Sequence, residues 1–224
     1  MTFLRCVSTI LAAGVLASGV VACAAGDSVE ETTTTTTETV TETETTTTST
    51  SRPPTPEEIA AERVPEEQRA KAASLMVVGV DNYDDALWKL QQGVGGIFIP
   101  SWANPELLTT EGRNIVALRR EIGRPFSVSI DFEGGRVQRH AGVLGARMSP
   151  REMAATMSPE QVEAYAHDLG NVLRWHGVTV DFAPVLDVDG SGLEIVGDRA
   201  FSTDPVGASE YGAVFARGLR AANV

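Results

Sequence analysis

Two acidic side chains at the end of a predicted strand are the first candidates for chemistry in this sequence. Asp131 and Glu133 follow an apolar run and precede a pair of glycines. Carboxylates two residues apart on an extended chain face the same side, so the pair could bind hydroxyl groups or ionise unequally. For Glu133 the alternative is an ion pair with Arg136 or Arg139 that only holds the loop. Asp131 is therefore the stronger candidate for a site residue.

A second group of acidic residues is similar to a calcium-binding loop. Residues 187–198 place oxygen-bearing side chains at loop positions one, three, five and twelve, with a glycine at position six. The segment departs from that pattern at Glu194, where an apolar residue is usual, and at Asp198, where a glutamate is usual. A predicted strand containing Pro184 precedes it instead of a helix. We expect no metal ion here, and the sequence indicates no cofactor.

The three histidines carry less information. His140 follows Arg139 and could contact a ligand bound near Asp131. His167 and His176 lie nine positions apart on one predicted helix, so they lack the i, i+4 spacing of a helical metal site. We expect both to be surface or packing residues.

The elements that must position these residues alternate between strands and helices from Thr55 onward. Apolar runs predict strands at 75–80, 93–100, 125–131 and 178–185, and the helical segments are 57–74, 84–92, 105–122, 159–176 and 205–222. Strands that are apolar on both faces and alternate with helices indicate an α/β fold with a parallel sheet. In such folds the site lies at the carboxyl ends of the strands.

Two architectures fit this alternation, an open doubly wound sheet and a closed (β/α)8 TIM barrel. The segment after the first predicted strand has no G-x-G-x-x-G, which favours the barrel. A complete barrel takes about 250 residues and eight strands. Four predicted strands therefore indicate only the first half of a barrel, over residues 56–224.

The N-terminal segment is typical of an export signal. Arg5 precedes an apolar stretch at residues 10–22 that is too short to span a bilayer comfortably, and small residues lead to Cys23. This ending is similar to a bacterial lipobox, in which the cysteine is lipidated and becomes the mature N-terminus. We expect residues 1–22 to be a signal peptide and Cys23 to anchor an exported protein to the cell membrane. The alternative is a plain signal peptide with an incidental cysteine.

Composition excludes several classes of protein. Residues 23–55 are rich in threonine and glutamate and contain too few apolar side chains to order, which predicts a disordered stalk. The formal net charge of −12 argues against binding nucleic acid. The two cysteines, Cys6 and Cys23, cannot form a disulfide scaffold or a four-ligand zinc site alone. Nothing in the sequence indicates a protein partner.

Three segments in this order and spacing resemble the barrel domain of family-3 glycoside hydrolases, and most closely the bacterial β-N-acetylglucosaminidases. They are IDFEGGRVQR at 130–139, FAPVLDV at 182–188 and GDRAF at 197–201. The resemblance implies a hydrolase that removes terminal β-linked N-acetylglucosamine from peptidoglycan-type glycans by a retaining mechanism. It also implies that Asp131 holds sugar hydroxyls and that Arg139 and Arg199 bind substrate, since the planar guanidinium offers several fixed donors.

The resemblance also implies what is not found in this sequence. The nucleophilic aspartate and the acid/base histidine of that family are expected beyond Val224. No residue of this sequence is therefore assigned a catalytic role. We expect the 224-residue chain alone to be an inactive fragment of such an enzyme. The alternative is a non-catalytic envelope lipoprotein that binds glycans.

Overall fold

The computed structural model describes residues 52–190 and 192–224. The predicted signal peptide, Cys23 and nearly all of the predicted stalk lie outside the described residues.

Within that part of the chain, four parallel strands form one sheet with helices between them. The strands are β1 (Val77–Gly79), β2 (Gly96–Ile99), β3 (Ser127–Ile130) and β6 (Val180–Asp181), and their order is β1-β2-β3-β6. Each strand thus lies beside the parallel strand that precedes it in the chain, as in a barrel. The α/β class and the parallel sheet predicted from the sequence are confirmed.

A short antiparallel hairpin directly follows β3 and was not predicted. It consists of β4 (Phe132–Gly134) and β5 (Val137–Gln138). The helices are α1 (Pro56–Arg63), α2 (Gln68–Ser74), α3 (Tyr83–Gln91), α4 (Glu106–Thr109), α5 (Ile115–Ile122), α6 (Ala141–Leu144), α7 (Pro150–Thr156), α8 (Pro159–Trp175) and α9 (Pro205–Ala221). A 3₁₀ turn covers Gly197–Arg199.

Two predicted helices are each divided in the structure. The predicted helix at 57–74 breaks into α1 and α2 because Pro65 has no N–H and forces Val64 into an extended conformation. The predicted helix at 105–122 breaks into α4 and α5, and the Asn114 side chain caps the second of them by accepting from the Ala117 N–H. The ends of α3, α8 and α9 agree with the prediction to within a residue.

The core lies between the sheet and the helices. Ile97, Ile99, Val128 and Ile130 on the two inner strands are fully buried. Helices α8 and α9 pack closely because Gly218 has no side chain: a Cβ there would lie 2.3 Å from the Glu163 carbonyl oxygen. This packing fixes the position of the helix that follows β6.

Candidate functional site

The β4–β5 hairpin brings Asp131 and Arg139 together at the carboxyl end of β3. The Arg139 N–H donates to the Asp131 carbonyl oxygen at 3.1 Å, and Arg139 Nη2 lies 3.2 Å from Asp131 Oδ2. Both side chains stay about one-third exposed. Two of the three residues predicted to bind substrate therefore form an accessible ion pair where a parallel sheet places its ligands.

Arg199 reaches the same cluster from the loop after β6. Its Nε and Nη2 each donate to one oxygen of Glu133 at 2.7 Å, a bidentate pair in which the Glu133 side chain is 4% exposed. The alternative raised for Glu133, an ion pair with Arg136 or Arg139, is therefore wrong about the partner, although Glu133 does pair with an arginine. The loop after β6 folds back over the hairpin, and this places Arg199 against Glu133.

Arg136 ties the same loop to the hairpin from the other side. Its Nε lies 3.1 Å from Asp198 Oδ1, and Nη2 donates to the carbonyl oxygens of Glu194, Ile195 and Val196 at 2.7, 3.0 and 3.1 Å. Arg136 therefore holds the loop and does not face Asp131.

The two site arginines keep hydrogen-bonding capacity for a ligand. Three of the five N–H groups of Arg199 are used among the described residues, two by Glu133 and one by the Ile195 carbonyl oxygen. Hydrogen bonding to Glu133 raises the pKa of Arg199, and the charges of Asp187 and Asp131 raise it further. Arg139 Nε is buried and has no partner in the described part of the chain.

Asp181, at the end of β6, is a site residue that was predicted only as part of a strand. Its Oδ1 accepts the Phe132 N–H at 2.9 Å, while its Oδ2 is buried and unpartnered among the described residues. Burial raises the pKa of Asp181 from 3.8 to about 8, and the charges of Asp131 and Glu133 act in the same direction. Asp181 is thus mainly protonated at neutral pH. The sequence feature that could have indicated Asp181 is its position at the end of an apolar strand, which it shares with Asp131.

The glycine pair in the hairpin serves the packing of this chain. Gly134 has φ +92°, and a Cβ there would lie 2.1 Å from the Met148 carbonyl oxygen. A glycine pair can mark a place where the backbone approaches a ligand closely. What approaches it is the segment that leads into α7.

The histidines make contacts within the chain. His140 Nε2 lies 2.8 Å from the Pro100 carbonyl oxygen, which joins the hairpin to the loop after β2. His176 Nδ1 lies 2.9 Å from the Leu108 carbonyl oxygen. Contact between His140 and a ligand stays a prediction.

The loop that is similar to a calcium site carries its carboxylates to different arginines. Asp189 lies 3.6 Å from Arg151, and Asp198 pairs with Arg136. Across residues 52–190 and 192–224, no three His, Cys, Asp or Glu side chains converge as metal ligands would. In the same residues, no helix combines the length and apolar character needed to cross a bilayer.

Comparison with known proteins gives a consistent family. Residues 68–224 match the family model described as the glycosyl hydrolase family 3 N terminal domain. The β-hexosaminidase LpqI of Mycobacterium tuberculosis is 40% identical over 159 residues. A solved family-3 glycosyl hydrolase from Mycobacterium smegmatis superposes with a TM-score of 0.66 at 42% identity, and a family-3 β-N-acetylglucosaminidase from a Paenibacillus species with 0.62 at 25% identity.

The matches cover most of this chain and a smaller share of the relatives. The alignment with the Mycobacterium tuberculosis protein spans 70% of this chain and 40% of that protein. The superposition with the Mycobacterium smegmatis structure covers 70% of this chain and 48% of the other, and that with the Paenibacillus structure covers 70% and 31%. The matched part of the chain thus covers less than half of each of these three relatives.

Proposed function

The chain belongs to glycoside hydrolase family 3, and on this premise we propose that it supplies the sugar-binding half of an exported β-N-acetylhexosaminidase site. The observation that carries the proposal is the paired cluster at the carboxyl end of β3, Asp131 with Arg139 and Glu133 with Arg199. In this cluster one carboxylate and two guanidinium groups stay accessible. Those groups fit the ring hydroxyls of a saccharide, which both donate and accept hydrogen bonds.

Each residue has a distinct part in binding. Asp131 accepts from sugar hydroxyls with the carboxylate oxygen that Arg139 leaves open, and the free N–H groups of Arg139 and Arg199 donate to sugar oxygens. Glu133 is a positioning residue, because its buried carboxylate fixes the guanidinium plane of Arg199. The substrate is a glycan that ends in β-linked N-acetylglucosamine, such as a peptidoglycan fragment.

The reaction is hydrolysis with retention at the anomeric carbon. A nucleophilic carboxylate and an acid/base group perform it, and the family resemblance assigns both to a segment that this chain does not cover. Among the described residues of the site, the carboxylates of Asp131 and Glu133 are each paired with an arginine. That observation favours a second candidate, a glycan-binding protein without hydrolytic activity, for the 224-residue chain by itself.

Binding without turnover is the expected result for the 224-residue chain. In a heteronuclear NMR titration, N-acetylglucosamine should shift the signals of Asp131, Arg139 and Arg199. The substitution Asp131→Asn should weaken binding about tenfold, because it removes a charged acceptor. Incubation with an aryl N-acetyl-β-glucosaminide should release no phenol.

A matched control is Asp84→Asn, which alters an exposed carboxylate that pairs with Arg113 and not with the site arginines. This variant should bind the sugar as the unsubstituted chain does. Equal binding by both variants would contradict the role of Asp131, and turnover by the unsubstituted chain would contradict the binding-only role.

We further propose that the protein is exported and held at the extracytoplasmic face of the cell membrane through a lipid on Cys23. The support is the apolar stretch that ends in small residues before that cysteine. Mass spectrometry of the mature protein from its native host should find an N-terminal, diacylated Cys23. A mature protein that retains a free thiol at position 23 would contradict the anchor.

A further inference from the structure

A tryptophan lies at the carboxyl edge of the sheet, on the loop that follows β2. Ile99 pairs with Ile130 in the sheet, so the next residues, Pro100 and Asp131, leave neighbouring strands at the same level. Neighbouring strands are about 4.8 Å apart. Trp102 comes two residues after Pro100, and 72% of its surface is exposed. A large apolar ring thus stays in solvent at the same edge of the sheet as Asp131.

The Trp102 ring is held in place although it is exposed. Its Nε1–H donates to Asp81 Oδ1 at 3.0 Å. Asp81 is itself fixed, because its carbonyl oxygen accepts the Asn104 N–H at 2.7 Å and its N–H donates to Asp85 Oδ2 at 2.9 Å. The loops after β1 and β2 therefore support one indole in a defined orientation.

This loop is in direct contact with the hairpin that carries the site. His140, which is next to Arg139, lies 2.8 Å from the Pro100 carbonyl oxygen. Trp102 is thus joined through Pro100 and His140 to the arginine proposed to bind the terminal sugar.

Exposure alone does not distinguish Trp102 from the other two tryptophans, Trp88 and Trp175, which are 59% and 84% exposed. Trp88 lies within α3, and Trp175 ends α8 at the amino edge of the sheet, opposite to the site. Among the described residues, Trp102 alone of the three has its indole N–H in a hydrogen bond. Trp102 therefore differs from the other two tryptophans in its position relative to the sheet and in the hydrogen bond that holds its ring.

We propose that Trp102, positioned by Asp81, is the platform on which a second pyranose ring stacks, the ring linked to the terminal N-acetylglucosamine. A pyranose with equatorial substituents presents C–H bonds on its face, and polarised hydrogens are attracted to the electron-rich face of an indole. The site then recognises a β-linked disaccharide unit and not a single sugar. This inference rests on the proposed function, because it places the second ring relative to a terminal sugar at Asp131.

The test compares one sugar with two. The chain with ¹⁵N-labelled indoles is titrated with N-acetylglucosamine and with N,N′-diacetylchitobiose, and the Nε1–H signal of each tryptophan is followed. The disaccharide should shift the Trp102 signal and bind about tenfold more tightly than the monosaccharide. Trp102→Ala should remove that preference without changing the monosaccharide Kd, while Trp102→Phe should keep part of it.

Two further variants separate stacking from general damage. Trp175→Ala removes an equally exposed tryptophan at the opposite edge and should keep the full preference. Asp81→Ala frees the Trp102 ring and should weaken disaccharide binding several-fold, with the monosaccharide unaffected.

The following outcomes would overturn the proposal that a second sugar ring stacks on Trp102. Persistence of the disaccharide preference in Trp102→Ala, or an equal loss for both sugars, would exclude a stacking role. Equal binding of both sugars by the unsubstituted chain would overturn this proposal and leave the proposed function intact. If neither sugar binds to that chain, the proposed function and this proposal both fail.

Discussion

Replacing Arg199 with alanine is expected to lower the free energy of unfolding by about 3–5 kcal/mol. The substitution leaves the Glu133 carboxylate without its bidentate partner, and the Glu133 side chain is only 4% exposed. A buried carboxylate without a countercharge is much less stable than a paired one, because water no longer solvates it. Urea unfolding followed by circular dichroism measures the change.

Two further variants identify the cause of the loss. Arg199→Ala combined with Glu133→Gln removes the unpaired charge and should recover a large part of the stability. Arg217→Ala breaks the Arg217–Glu163 pair, whose side chains are 55% and 41% exposed, and should cost less than about 1 kcal/mol. An equally small loss for Arg199→Ala would show that Glu133 does not depend on Arg199.

The stability that Asp181 contributes should fall as the pH rises from about 4 to about 8, because the folded chain holds a proton on Asp181 that the unfolded chain has already released. In the folded chain burial raises the pKa of Asp181 to about 8, whereas its ordinary value is 3.8. Between these values the folded state keeps a proton that the unfolded state has lost. A rise in pH therefore favours the unfolded state, and each pKa unit corresponds to about 1.4 kcal/mol. The full effect amounts to several kcal/mol above pH 8.

Asp181→Asn isolates this contribution, because the amide has nearly the same shape and its oxygen can still accept the Phe132 N–H. Free energies of unfolding measured from pH 5 to pH 9 should decline less for the variant than for the unsubstituted chain. The other titrating groups are common to both proteins and cancel in the difference. Parallel pH profiles would contradict a protonated Asp181.

The parallel sheet could be predicted because its signals are local. Each strand is an apolar run such as 125–131, and each long helix begins at a proline after a capping residue, as Ser158 before α8 and Asp204 before α9. The hairpin after β3 could not be predicted in the same way. Its strands are three and two residues long, and the turn depends on the close approach of Gly134 to the Met148 carbonyl oxygen.

The site residues likewise fall into two groups, those that the local sequence indicates and those whose roles depend on contacts between distant segments. The motif at 130–139 indicated Asp131 and Arg139, and the hairpin brings both into one ion pair. The partner of Glu133 depended on a loop that returns from 66 residues further along the chain, a separation at which sequence spacing carries no information. The protonation of Asp181 depends on burial and on the charges of Asp131 and Glu133, which appear only once the strands are side by side.

The strand order β1-β2-β3-β6 also bears on how this domain is made. Every parallel strand pairs with the parallel strand synthesised just before it, so no pairing in the sheet waits for a distant part of the chain. The chain between paired residues still covers some distance, from Val77 to Gly96, from Gly96 to Ser127 and from Ser129 to Val180, but the entropic cost of closing a loop rises only slowly with its length. The sheet can therefore grow strand by strand from its N-terminal end, with Asp131 already on the edge to which β6 is added.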